Sequence, residues 1–132
     1  MLKNTRKIKI LDANAVLRYV INDIPEQAEI VKRILRSCKV LILPEVIMEI
    51  VFVMYKFYKI PRTEIAKELF NFLTEIRCDN IILINAVKNF GVLNLDFIDC
   101  LLLEYSQENQ YEVFTFDEKL IKTIQKLRGQ ND

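Results

Sequence analysis

The chain has 132 residues, 52% apolar and 28% charged, enough for one hydrophobic core under a wetted surface and too few for two domains. Its 19 Lys and Arg balance 18 Asp and Glu at a net charge of +1, so no global basic field points to a polyanionic partner. No histidine is present, which excludes Ser-His-Asp and Cys-His nucleophiles, imidazole zinc sites and an imidazole base.

Residues 1–132 read as a single domain, without repeats or low-complexity stretches. The run Lys7-Ile8-Lys9-Ile10-Leu11 predicts a first strand. Asp12 and Asn14 break the apolar stretch that follows Lys9, and no small-residue cleavage site comes after, so a secretory leader is not expected. Ile24 to Ser37 carries Ala28, Val31, Ile34 and Leu35 at helical spacing, with Pro25 suited to the first turn. Val40 to Leu43 is a second strand run, and Pro44 opens a helix to about Tyr58. The greasiest window, Val40 to Tyr55, is interrupted by Pro44, Glu45 and Glu49 and falls short of the roughly 18 apolar residues of a membrane span. A cytoplasmic protein is therefore expected.

Pro61-Arg62-Thr63 leads into a helix with Ile65, Leu69, Phe72, Leu73 and Ile76 on one stripe. Ile81 to Ile84 predicts a third strand and Glu112 to Thr115 a fourth. Between and after them lie a helix over Leu95 to Gln107, with Asn94 as N-cap, and one over Glu118 to Leu127, with Asp117 as N-cap. Cys38, Cys78 and Cys100 form no C-x-x-C pair and read as free thiols in a reducing compartment. Strands alternating with helices predict an α/β fold: a three-layer α/β/α sandwich around a parallel sheet of about four strands.

Four carboxylates stand out from the solvated majority. Asp12 and Asp117 each follow a predicted strand at its C-terminal end, the edge where open parallel sheets bind ligands. Glu49 lies within Val46 to Met54 and Asp99 within Phe97 to Leu103, each an acid in an apolar helix. Simple helix caps would account for Asp12 and Asp117, and buried ion pairs for Glu49 and Asp99. Together they suit a shared divalent cation, because an ionised carboxylate in an apolar setting costs several kcal/mol without a compensating charge, and neither apolar run contains a Lys or Arg. All-oxygen donors favour Mg²⁺ or Mn²⁺. Such a site suits phosphoryl transfer, with the metal lowering the pKa of a bound water and a carboxylate orienting it.

The same residues bring a family into view. Ile10-Leu11-Asp12-Ala13-Asn14-Ala15-Val16-Leu17 resembles the opening strand and Asp-x-Asn turn of PIN domains. Glu49 to Met54 resembles their second acidic segment, Leu95 to Leu102 the third, and Thr115-Phe116-Asp117 the last. The resemblance covers nearly the whole chain and is greatest to VapC-type toxins of prokaryotic toxin–antitoxin modules. It implies a Mg²⁺- or Mn²⁺-dependent endoribonuclease whose acidic cluster is Asp12, Glu49, Asp99 and Asp117. Asp12, Asp99 and Asp117 would ligate the metal and Glu49 would act through water. Asn14 and Thr115 match supporting polar positions, and Asp96 is an additional candidate acid. The resemblance also implies an antitoxin partner. The chain departs from the family pattern in two ways: no candidate for a short fifth strand follows the last helix, and the Pro44 to Glu49 interval is about one residue short. Glu45 is the fallback for Glu49.

Local basic clusters, Lys3/Arg6/Lys7/Lys9, Lys32/Arg33/Arg36/Lys39 and Lys119/Lys122/Lys126/Arg128, soften the neutral balance, and Lys119 and Lys122 would stand beside Asp117 as guides for RNA. Phe52, Tyr55, Phe57, Tyr58, Phe70 and Phe72 exceed what covering a thin sheet needs, so a homodimer face is expected there. The competing reading is a catalytically inactive PIN-like module that binds RNA or protein. A receiver domain would want an acid after Ile84, where Asn85 stands, and an Asp-x-Asp phosphatase would want one at Asn14.

Overall fold

A computed structural model describes residues 4–131, with side chains over 7–129. Strand β1 (Asn4–Ile10) and strand β2 (Cys38–Leu41) pair in parallel, with Ile8 opposite Lys39, Lys9 opposite Val40 and Ile10 opposite Leu41. Two helices, α1 (Ala13–Ile21) and α2 (Pro25–Ser37), make the crossover between them and pack on one another. Asn22 ends α1 in the left-handed region at φ 58°, where its short polar side chain is tolerated, and its amide donates to the Arg18 carbonyl.

Five helices follow: α3 (Pro44–Lys56), α4 (Arg62–Glu75), α5 (Ile81–Val92), α6 (Phe97–Ser106) and α7 (Glu118–Asn131). They pack in sequence, α3 on α4, α4 on α5, α5 on α6 and α6 on α7, and α3 also meets α1 and α6. Their inner stripes meet in one core, where Ile47, Ile50, Met54, Ile65, Leu69, Leu73, Leu83, Leu103 and Leu120 are fully buried. Each such side chain contributes about 1.5–3 kcal/mol by leaving water. Among the described residues no helix is long and apolar enough to cross a membrane.

The predicted α/β class with a parallel sheet is observed, but the sheet is narrower than expected. Two strands are present among the described residues rather than about four. The run at Ile81 to Ile84 is the first turn of α5, not a strand: Asn80 caps it by accepting the Leu83 amide at 3.1 Å, and Leu83, Ala86, Val87 and Phe90 bury one helical face. Residues 112–115 run outside any ladder, and the neighbouring Phe114 and Phe116 are 84% and 87% exposed, which is incompatible with a strand inside a sheet. Register puts Ile8, Ile10 and Leu41 on one sheet face, and that face is open to solvent. The helix at Ala13–Ile21 was not anticipated, although Ala13, Val16 and Leu17 supply its buried face. Helix α6 starts after Asp96, so Asn94 is not its N-cap.

Candidate functional site

Leu11 extends β1 into the core and leaves Asp12 exposed at the strand's C-terminal end. There Asp12 is the N-cap of α1: its Oδ1 accepts the Ala15 amide at 2.8 Å. Asn14, the second residue of α1, accepts from Arg18 at 3.0 Å, and Arg18 in turn holds Asp23 at 2.6 Å. That hydrogen-bonded pairing pulls the Asp23 carboxyl below its ordinary value and pushes the Arg18 guanidinium up. Asp12, Asn14, Arg18 and Gln27 line a shallow cavity of about 270 Å³ between α1 and α2.

The last acid is built in the same manner. Thr115 Oγ1 accepts the Asp117 amide at 3.0 Å, fixing the bend that ends the extended segment. Asp117 Oδ1 then accepts the Leu120 amide at 3.0 Å and caps α7.

Asp96 stands at the N-cap position of α6 without a side-chain cap bond, and Asp99 follows within the first turn. Asp99 is half-buried, and its carboxyl is held above the ordinary value by burial first, then by the charges of Asp117 and Asp96, with Lys119 opposing. Asp99 thus feels the charges of Asp96, Asp117 and Lys119 at the N-termini of α6 and α7, where the helix dipoles also favour anions. Asp96, the additional candidate acid, is the nearest of these charges in sequence, three residues before Asp99.

Glu49 is exposed on α3, contrary to its expected burial in an apolar helix. Positions 45, 48, 49 and 52 share one helical side that faces water, and Glu45 lies on it too. Among the described residues no group of three or more Asp, Glu, Cys or His side chains is arranged to hold a metal ion. The three cysteines are free thiols, and burial pushes that of Cys100 up to about 12, so it stays protonated and packs as an apolar group.

The PIN domain family model matches residues 9–126, nine-tenths of the chain and every segment just described. The chain belongs to the PIN domain family. No curated protein and no solved structure matches it. PIN domains are typically nucleases that use divalent metal ions, and they act on nucleic acids. In this PIN domain, sequence reasoning did not single out one half-buried arginine. Arg62, read only as part of a helix start, reaches across to the loop that precedes Asp96.

Proposed function

We propose that this PIN domain is a Mg²⁺- or Mn²⁺-dependent endoribonuclease and the toxin of a VapC-type toxin–antitoxin module. The observation that carries the reading is the half-buried Asp99, kept against Asp96 and Asp117 although like charges repel there. A chain without histidine has carboxylates as its natural means of activating water. Oxygen-only donors fit a hard divalent ion, with Asp12, Asp99 and Asp117 as ligands and Glu49 acting through water. When bound, the ion would lower the pKa of a water and neutralise charge on the phosphate under attack. The chain's own part is to present the acids: caps orient Asp12 and Asp117, Thr115 braces Asp117, Asn14 holds Arg18 beside Asp12, and Asp96 adds negative charge that draws the cation in. RNA is the substrate, an antitoxin covers the acids until it is removed, and a second copy packs on the exposed aromatic side of α3, where Phe52 is 56% and Phe57 72% exposed.

The test is cleavage of an RNA panel with Mn²⁺, Mg²⁺ or EDTA, beside Asp12→Asn. Cuts that need metal and vanish in the variant support the nuclease. That no three acids among the described residues are grouped to hold a metal ion favours a second reading, an inactive module that binds RNA or protein. RNA binding without cleavage, equal in both proteins and indifferent to EDTA, would select it.

A further inference from the structure

Arg62, the first residue of α4, is half-buried and has no carboxylate partner among the described residues. Its Nε donates to the Phe90 carbonyl at 2.9 Å and its Nη2 to the carbonyls of Leu93, at 2.9 Å, and Leu95. The guanidinium lies over the Phe90 ring, 3.7 Å from its centroid, with Tyr55 on another side at 5.5 Å. The guanidinium reaches these carbonyls from two separate nitrogens while its plane lies on the Phe90 ring, an arrangement that the single point charge of a lysine does not reproduce. The Phe90 carbonyl belongs to the last turn of α5, so the cation also meets the negative end of that helix.

Lys119 completes the arrangement from the opposite side. Its Nζ, in the first turn of α7, donates to the carbonyl of Asn94. Two cations from two helices thus hold the carbonyls of residues 90, 93, 94 and 95, the stretch that delivers Asp96 and Asp99. Lys119 sits two residues beyond Asp117, so its bond ties the start of α7 to the approach of α6. That tie holds Asp99 where Asp96 and Asp117 repel it.

We infer that Arg62 and Lys119 are positioning residues that clamp the chain from the last turn of α5 to the start of α6 and so fix Asp96 and Asp99 against Asp117. The inference rests on the metal-site reading above. It is tested by titrating Mn²⁺ calorimetrically into the whole chain without RNA, then measuring kcat and KM for RNA cleavage. The comparison set is Arg62→Gln, Arg62→Lys and Lys119→Gln, each followed by its thermal melt. Arg62→Gln is expected to weaken Mn²⁺ binding about 10- to 100-fold, as loss of a ligand-orienting partner does. Its kcat should fall while KM for RNA stays within about twofold, and saturating Mn²⁺ should restore part of kcat. Arg62→Lys should lie between. If Arg62→Gln does not fold, Lys119→Gln, a change at an exposed side chain, carries the test with the same expected direction. Variants that melt earlier yet match the unaltered chain in Mn²⁺ affinity and kcat below their melts would overturn the clamp alone. An unaltered chain that takes up no Mn²⁺ would overturn the metal-site reading and the clamp with it.

Discussion

A carboxylate can cap a helix with one oxygen and keep the other for a second partner. Asp12 and Asp117 both cap through Oδ1, so the structural and the metal-binding explanations, alternatives in the sequence, are compatible in the same side chain. Asp99 has a different balance. Its carboxyl binds a proton more tightly in the folded chain than in the unfolded one, because of burial and then Asp117 and Asp96. The stability this supplies is fully present below the unfolded pKa and is lost as pH rises through the ordinary carboxylate range to the folded value. At neutral pH the ionised side chain therefore destabilises the metal-free protein. Asp99→Asn is expected to raise Tm in EDTA at pH 7, with the gain shrinking as pH falls toward about 4. Melts at both pH values check it, and a Tm at pH 7 equal to or below that of the unaltered chain contradicts it. Asp12 and Asp117 were legible as helix caps because caps are local, although no strand directly precedes Asp117. Glu49 was not, because an apolar run written in one dimension conceals that Glu45, Met48, Glu49 and Phe52 share one wet side.

Elements were legible wherever one period dominated. The predicted spans of α2, α3, α4 and α7 agree with the observed ones to within a few residues. Ile81 to Ile84 failed because four consecutive apolar residues fit a buried strand and a buried helix equally well. The deciding marks were Asn80 in front and the i, i+3, i+4, i+7 spacing of Leu83, Ala86, Val87 and Phe90 behind. Helix α5 also packs closely on α4, at Gly91: a Cβ there would stand 2.6 Å from Ala66 Cβ. Gly91→Ala gains about 1 kcal/mol of helix propensity but overpacks a close contact, which costs about 1–3 kcal/mol. The net expectation is a loss of about 1 kcal/mol, read from the urea midpoint. Gly91→Ala combined with Ala66→Gly should be more stable than the two single effects add up to, since the double change removes the clash. Strict additivity would show that α4 and α5 move apart at no cost. The clamp was illegible for a related reason: Arg62 meets partners about 30 positions away, and nothing local marks an arginine that will bind carbonyls.

At the scale of the whole molecule, a net charge of +1 must still admit a polyanion to an acidic site, so the arrangement of charge decides more than its sum. Lys3 and the Arg6 side chain lie outside the described residues, while Lys7 and Lys9 are exposed on β1. In the C-terminal cluster the four cations divide into two pairs. Lys119 donates to Asn94 and Arg128 donates to the Ser106 carbonyl at 3.1 Å, so both hold α7 to the body of the domain. Lys122 and Lys126 are exposed one helical turn apart, on the same side of α7 as Lys119 and hence of Asp117. Lys119 is thus a tether first, and Lys122 and Lys126 are the pair available to phosphate. Neutralising two phosphates of a single strand contributes about 1.4 to the slope of log K against log salt. Replacing Lys122 and Lys126 by Ala should flatten the slope by about that amount and leave Tm nearly unchanged, since exposed charges contribute little to folding. Binding of a short RNA to the Asp12→Asn background, measured from low to moderate salt, reads this without cleavage. A slope unaltered by the double change would move the RNA path elsewhere, toward the basic side of α2 that carries Arg33 and Arg36.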